Sequence, residues 1–412
     1  MSAKRIAIFN RDPGKQQGAA LLIMLVLLVV GIAAVLINSL TTVGTNNARQ
    51  EKTASALAQA KDALIGDTVS QPSVTSVGYM RLPDLGFGIG PVPLEGSSAP
   101  NFSGNNADYS VIGKVPWKTL AISPSRGGQG ECPWYIVSGR FKNNPKTNSA
   151  FNWDTLGQID VIDGNGSVIA SNIAALLVAP GHPIDGQNRA LSDPAYTQCG
   201  GNYDARNYLD SYNSSDTVSG EANYFTGSTN NRVALNTSNK RFVMTNNNHY
   251  NDQLLFITTD DIFRPIIRRS DFSAQISALM NDAAFVTHLQ TVIIAGTKGS
   301  DKIDCTKTSN TVNKNFCINW KEMLLLTQLP TPTSITIDGA PTAACTNILF
   351  FGGQKTTAQV RLIATDKSIP ANYLEGTNFA AFATPVAISS NFSGASIFNA
   401  NNPSADLLRC LP

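Results

Sequence analysis

Charge is scarce in this sequence: 15% of its 412 residues are charged, and the formal net charge is +2. A balance so close to neutral excludes a global electrostatic attraction to nucleic acid. Histidine is scarcer still. His182, His249 and His288 are widely separated, and with no His-Glu-x-x-His pair they give no zinc site. Gly-x-Ser-x-Gly and Gly-x-x-x-x-Gly-Lys-Ser/Thr are both missing, which removes the common hydrolase and nucleotide-binding motifs. No Cys-x-x-Cys occurs, so a redox pair or metal knuckle is not expected either. These gaps lead to the expectation that the chain is not an enzyme and carries no cofactor and no metal.

The composition is rich in apolar residues, 42% of the chain, enough for a sizeable core. They are unevenly placed. Ala19 to Ile37 reads AALLIMLVLLVVGIAAVLI without a charge, long enough as a helix to span a bilayer core. Lys4, Arg5, Arg11 and Lys15 precede it, so the positive-inside rule keeps the short N-terminus cytoplasmic and sends the remainder outward. A secretory signal would place its small cleavage residue after the apolar stretch, whereas here Gly18 stands before it. Beyond Ile37 the pattern turns amphipathic. Leu57, Ala60 and Leu64 share one face at i, i+3 and i+7, predicting a continuous helix from about Ala19 to Ile65, ending near Gly66.

This order of basic leader, glycine and apolar helix resembles type IV prepilins and type II secretion pseudopilins. A plain uncleaved signal anchor is the alternative. The resemblance implies cleavage after Gly18 by a prepilin peptidase, with Ala19 as the new N-terminus and site of methylation. It also implies a single-pass inner-membrane protein with a periplasmic globular part, able to enter an extracellular filament through its helix packed against other pilins. Major pilins usually carry Glu at the fifth mature position; here that position is Ile23, which implies a low-copy minor pilin or pseudopilin at the tip or in a priming complex. Val115-Pro116-Trp117-Lys118-Thr119-Leu120, followed by Trp134-Tyr135-Ile136-Val137-Ser138, resembles a region of large bacterial pilin-like proteins, as do Ala179-Pro180-Gly181…Gln187-Asn188-Arg189 and Asn251 to Asp260. A filament-borne adhesin with a surface ligand and a membrane-anchored periplasmic enzyme are the alternative functions.

The expected fold class is α+β: the N-terminal helix of a pilin-like protein followed by a β-rich head with a few helices. The organisation read from the chain is a leader at 1–18, the helix at 19–66, a head at 67–300 and a disulfide-containing C-terminal lobe at 301–412. Strands are expected at Trp134–Ser138, in a hairpin of Gln158–Ile162 with Ser167–Ala170, and at Ile173–Ala179. Further strands are expected at Ile335–Gly339, Ile348–Phe351 and Gln359–Ile363. One helix is expected from Thr258 or Thr259 to about Asp282, with Pro265 in its first turn, and another over Ala283–Ala295. Asn, Ser, Thr and Gly dominate Cys199 to Asn248, which reads as long loops.

Six cysteines, Cys132, Cys199, Cys305, Cys317, Cys345 and Cys410, all follow the apolar segment and fit disulfides in an oxidising compartment, with 15 possible pairings. Asp160, Asp163 and Asn165 surround a Gly turn and form a weak Ca²⁺ candidate against the reading of an ordinary hairpin turn. Arg264, Arg268 and Arg269 could form a basic ridge or a solvated helix face, and Trp117 and Trp134 could anchor a partner or belong to the core. Finally, Ala179-Pro180-Gly181…Gln187-Asn188-Arg189…Asn207-Tyr208-Leu209-Asp210 parallels Phe351-Gly352-Gly353…Gln359-Val360-Arg361…Asn372-Tyr373-Leu374-Glu375. The glycine-to-glutamine spacing is six in both, as a repeated structural unit would require.

Overall fold

A computed structural model describes residues 14–72, 77–86, 95–100, 110–147, 149–191, 198–199, 201–210, 240–292, 300–383 and 392–412. The fold is α+β. It opens with helix α1, Gly14–Val69. Three short strands follow, β1 (Val111–Lys114), β2 (Trp134–Val137) and β3 (Ile159–Ile162), then β4 (Val168–Ile173), β5 (Ala175–Ala179), β6 (Lys240–Val243) and β7 (Gln253–Ile257). Helices α2 (Thr259–Ile267), α3 (Ser270–Met280), α4 (Ala283–Thr291) and α5 (Thr311–Trp320) lead to strands β8 (Leu324–Thr333), β9 (Thr336–Ile337), β10 (Ala340–Pro341) and β11 (Cys345–Phe351). Short helices α6 (Ala364–Lys367) and α7 (Gly376–Ala383) and strands β12 (Ser393–Gly394) and β13 (Leu407–Leu411) complete the chain.

The central antiparallel sheet has the order β1-β2-β5-β7. Its middle strands are apolar at every position because both faces are covered, and the pleat divides them. Tyr135, Val137, Leu177 and Ile257 face the core beneath α1, while Trp134, Ile136, Leu176, Val178 and Leu254 face a second core closed by the sheet β4-β3-β6. The run Ile173–Ala179 thus serves two sheets: Ile173 ends β4, the chain crosses at Ala174, and β5 enters the central sheet.

The faint sequence repetition is a repeated structure. β5 lies between β2 and β7, with Val178 opposite Trp134 and Leu254; β11 lies between β8 and β13, with Phe350 opposite Leu325 and Leu408. After each middle strand an arginine folds back over its own loop. Arg189 donates from Nη1 to Gly181 O at 2.8 Å, from Nη2 to Gln187 Oε1 at 2.8 Å and from Nε to Asn207 O at 2.8 Å. Arg361 donates from Nη1 to Gly353 O at 3.0 Å, from Nη2 to Gln359 Oε1 at 3.2 Å and from Nε to Asn372 O. Its guanidinium lies 4.2 Å from the Tyr373 ring centre, as that of Arg189 lies 5.1 Å from Tyr208. Tyr208 and Tyr373 share one backbone conformation, φ −127° with ψ −38° and −37°. Asp252 and Asp406 then accept from the amides of Asp210 and Glu375 as each third strand begins. Gly181 and Gly353 are required because a Cβ would lie 2.4 Å from Asn251 O and 2.2 Å from Ser404 O. The two units share one apolar core, in which Leu325, Leu349 and Phe351 join Tyr135 and Ile257.

Several expectations change. Gln359–Ile363 is no strand, since Gln359 and Arg361 turn inward to hold their own loop. The long helix after Thr258 is two, α2 and α3, broken at Arg269, whose backbone is extended at φ −71°, ψ 137°. Pro265 sits in the second turn of α2, and the capping box instead comes from Thr258 and Asp261. α1 does not stop at Gly66. Thr68 is buried one turn past Leu64, and the carbonyls at the end of α1 are capped from afar by Arg269, whose Nη1 reaches Val69 O and Gln71 O, the latter at 2.9 Å. The connector 87–91 and the Ser/Asn-rich stretch 211–239 lie outside the described residues.

Candidate functional site: the seated helix and the clefts of the head

α1 divides at Thr53. From that residue onward Ala56, Leu57, Ala60, Leu64 and Thr68 are buried, the stripe the sequence pattern marks, and they pack against β5, β7 and α2. Residues 44–52 are exposed. The seat is fixed by polar contacts along its length. Lys61 Nζ reaches Phe256 O at 3.0 Å and Asp261 Oδ2 at 3.1 Å. Burial opposes the charge of Asp261, but the Thr258 amide, Lys61 and the Thr258 hydroxyl outweigh it and hold the carboxyl below its ordinary value. Asp67 receives Arg81 through both oxygens, at 3.0 and 3.3 Å. Where the helix leaves the head, the amide of Gly128 donates to Thr53 Oγ1 at 2.8 Å; a Cβ there would lie 2.4 Å from Arg49 O, so only glycine permits this approach.

Gly18, Ala19 and Ile23 fall in the first turns of α1, where their side chains lie outside the described residues, as do most of those from 19 to 37. Among the described residues no helix is long and apolar enough to cross a membrane. All six cysteines are paired: Cys132–Cys199, Cys305–Cys317 and Cys345–Cys410. The weak Ca²⁺ candidate is a hairpin turn. Asp163 Oδ1 accepts from the amides of Asn165 and Ser167 at 2.9 and 2.8 Å, and Asp160 Oδ1 from that of Asn172 at 2.9 Å. No set of three potential ligands is gathered for a metal among the described residues. The arginines do not act together: Arg264 pairs with Asp260 one turn away, Arg268 is exposed, and Arg269 holds the end of α1 and Asp271. Trp134 is wholly buried against Tyr208, and Trp117 is half-buried.

Among the described residues of the head, concavities open beside α1, beside β7 and around Asp154. An apolar groove of about 640 Å³ runs between Ala54, Leu57 and Ala58 of α1 and the start of β7. A polar cleft of about 760 Å³ lies beside His182–Asp185 and Asn246–His249. A third, of about 350 Å³, has Asp154 in its wall. Asp154 binds Arg361 at 3.1 Å in a pair shielded from solvent, across 207 positions of sequence. Burial raises the carboxyl of Asp154, against the opposing pull of Arg361. Nothing in local spacing announces this pair; only the repeat, which singles out Arg361, hints at it. Comparison with protein-family models, with curated proteins and with solved structures finds no match for this chain.

Proposed function

We propose that this chain is a prepilin-like, membrane-anchored subunit, a minor pilin or pseudopilin that contributes to assembly of a type IV pilus or a type II secretion pseudopilus. The observation that carries the reading is the division of α1. One helix has an amphipathic half seated on the head, and its other half holds the uncharged run Ala19–Ile37 beyond a basic leader. A helix so divided can be embedded or packed among like helices while the head stays in water. Three disulfides accord with a head in an oxidising compartment. With Ile23 at the fifth mature position the subunit has no carboxylate to offer a neighbour's terminal amine in apolar surroundings, which suits a low-copy place at a tip or in a priming complex.

The test is the N-terminus of the membrane-embedded protein, read by mass spectrometry with and without a prepilin peptidase. The expected mature chain starts at Ala19, carries a methylated amine, and is lost on Gly18→Glu or without the peptidase. An intact Met1 chain under all conditions would return the protein to a simple membrane-anchored class.

A further inference from the structure

β7 ends the central sheet, and one of its edges has no neighbouring strand among the described residues. The ladder fixes where its backbone groups point. The Ser138 amide donates to Ala174 O at 2.9 Å, so by alternation Leu176 and Val178 bond β2, while Ala175, Leu177 and Ala179 turn to β7. Their partners Ile257, Leu255 and Gln253 are engaged in this way, and Asp252, Leu254 and Phe256 turn outward. Phe256 O there receives Lys61 Nζ at 3.0 Å, and the Asp252 amide reaches Asp210 Oδ2 at 3.1 Å. The C=O of Asp252, both groups of Leu254 and the N–H of Phe256 are left without a hydrogen bond among the described residues. The apolar groove of about 640 Å³ borders this strand, lined by Leu254 and Leu255, by Met244 after β6, and by Ala54, Leu57 and Ala58 of α1.

The second unit shows what covers such an edge. The correspondence between the units extends beyond their middle strands: the hairpin β3–β4 takes β6 in parallel, and the hairpin β9–β10 takes β12 in parallel. β13 is then the counterpart of β7, with Asp406 in the place of Asp252 and Leu408 in that of Leu254. On the β13 edge the residue after β12 acts as the next strand. Ala395 runs parallel to Leu407, donates to Asp406 O at 3.3 Å and accepts from the Leu408 amide at 2.9 Å. After β6 the chain does otherwise. The Met244 amide donates to Ile162 O at 2.8 Å, the Met244 side chain is 41% exposed, and none of residues 244–246 bonds β7. The same edge is filled in one unit and open in the other. Gln253 to Phe256 carry neither the charge nor the proline that commonly blunts an exposed edge.

We propose that the β7 edge takes an extended peptide segment of another protein chain, laid parallel to β7 as Ala395 lies beside β13. One guest residue donates to Asp252 O and accepts from the Leu254 amide, and the residue two further on donates to Leu254 O and accepts from the Phe256 amide. The guest side chains alternate, and those turned to the groove are apolar, to meet Leu57, Met244 and Leu255. This binding is independent of whether the chain is processed at Gly18. To test it, random heptapeptides displayed on phage are panned against the full chain in lipid nanodiscs, and recovered peptides are synthesised and titrated by fluorescence anisotropy. Ala54 and Ala58 are exposed where they border the groove, so Ala58→Trp obstructs it from outside the core, and Ala54→Trp serves if the first variant does not fold. The expected result is saturable binding, about tenfold weaker in Ala58→Trp at unchanged thermal midpoint. N-methylation of alternate peptide amides should weaken binding by a similar factor in one frame and leave it unchanged in the other, while hydrogen exchange slows across Gln253–Ile257. Recovery of no peptide, as when the chain's own residues or a second copy fill the groove, would overturn the proposal. Binding unchanged in both variants, or indifferent to the frame of methylation, would overturn it equally.

Discussion

Arg189 and Arg361 do the same job with different exposure. Both hold the loop that follows a middle strand through three carbonyl-type acceptors, but the side chain of Arg361 is entirely buried and also neutralises Asp154, whereas Arg189 is only partly buried. Removing one partner of a buried pair leaves an uncompensated charge, which costs about 3–5 kcal/mol. Arg361→Ala is therefore expected to lower unfolding free energy by that amount, and Arg189→Ala by less, as urea denaturation would measure. Equal losses would show that the pair with Asp154 adds nothing. Asp406 permits a pH test. Its carboxyl is pushed up to about 6 by burial and by Glu375, against hydrogen bonds from Asn378 and the Glu375 amide. The ordinary value is about 3.9 in the unfolded chain, so between the two values the folded state holds a proton that the unfolded state has lost. Its contribution is complete below about pH 4 and declines as pH rises through 6. Asp406→Asn should flatten the stability curve over that window by about 3 kcal/mol relative to the parent protein.

At the scale of the element, α1 is the informative piece. At 1.5 Å per residue its 56 residues extend about 84 Å, and among the described residues the part from Thr53 onward is seated while 44–52 is exposed. The seat is tight at small residues: Ala60 has no exposed surface, between Leu57 and Leu64. Leu64→Ala should cost about 2–5 kcal/mol and Ala60→Leu about 1–3 kcal/mol through overpacking. Exposed Ser55→Ala should stay within about 0.5 kcal/mol. Hydrogen exchange of the α1 amides after residue 53 would report the same ranking. The buried stripe was legible because a period of 3.6 leaves its mark on any helix lying on a core. Its C-terminal end was not legible, because the cap is a guanidinium 200 positions away rather than a local glycine.

Across the whole molecule, two repeated sheets share one core, and disulfides of different span close loops in its second half. Cys305–Cys317 closes a separation of 12 residues and Cys345–Cys410 one of 65. In the chain-entropy account the first restrains the unfolded state by about 3 kcal/mol and the second by about 4 kcal/mol. Removal of the Cys345–Cys410 pair by double substitution to serine should lower the denaturation midpoint more than removal of Cys305–Cys317. The reverse order would locate the difference in the folded packing instead.

By itself the sequence determined the features that depend on neighbours along the chain. These are the helical stripe of Leu57, Ala60 and Leu64, the buried run around Leu176, the hairpin at Asp163–Gly166, and the six-residue spacing that betrayed the repeat. Tertiary structure decided what depends on residues distant in sequence. It paired the six cysteines, converted Gln359–Ile363 from an apparent strand into an arginine-held loop, broke the helix at Arg269, and brought Asp154 to Arg361 to form the cleft. Periodicity records which face of an element leaves water, because that is fixed by backbone geometry over a few residues. A hydrogen bond across 207 positions leaves no such record, since it exists only once the shared core has set its two ends side by side.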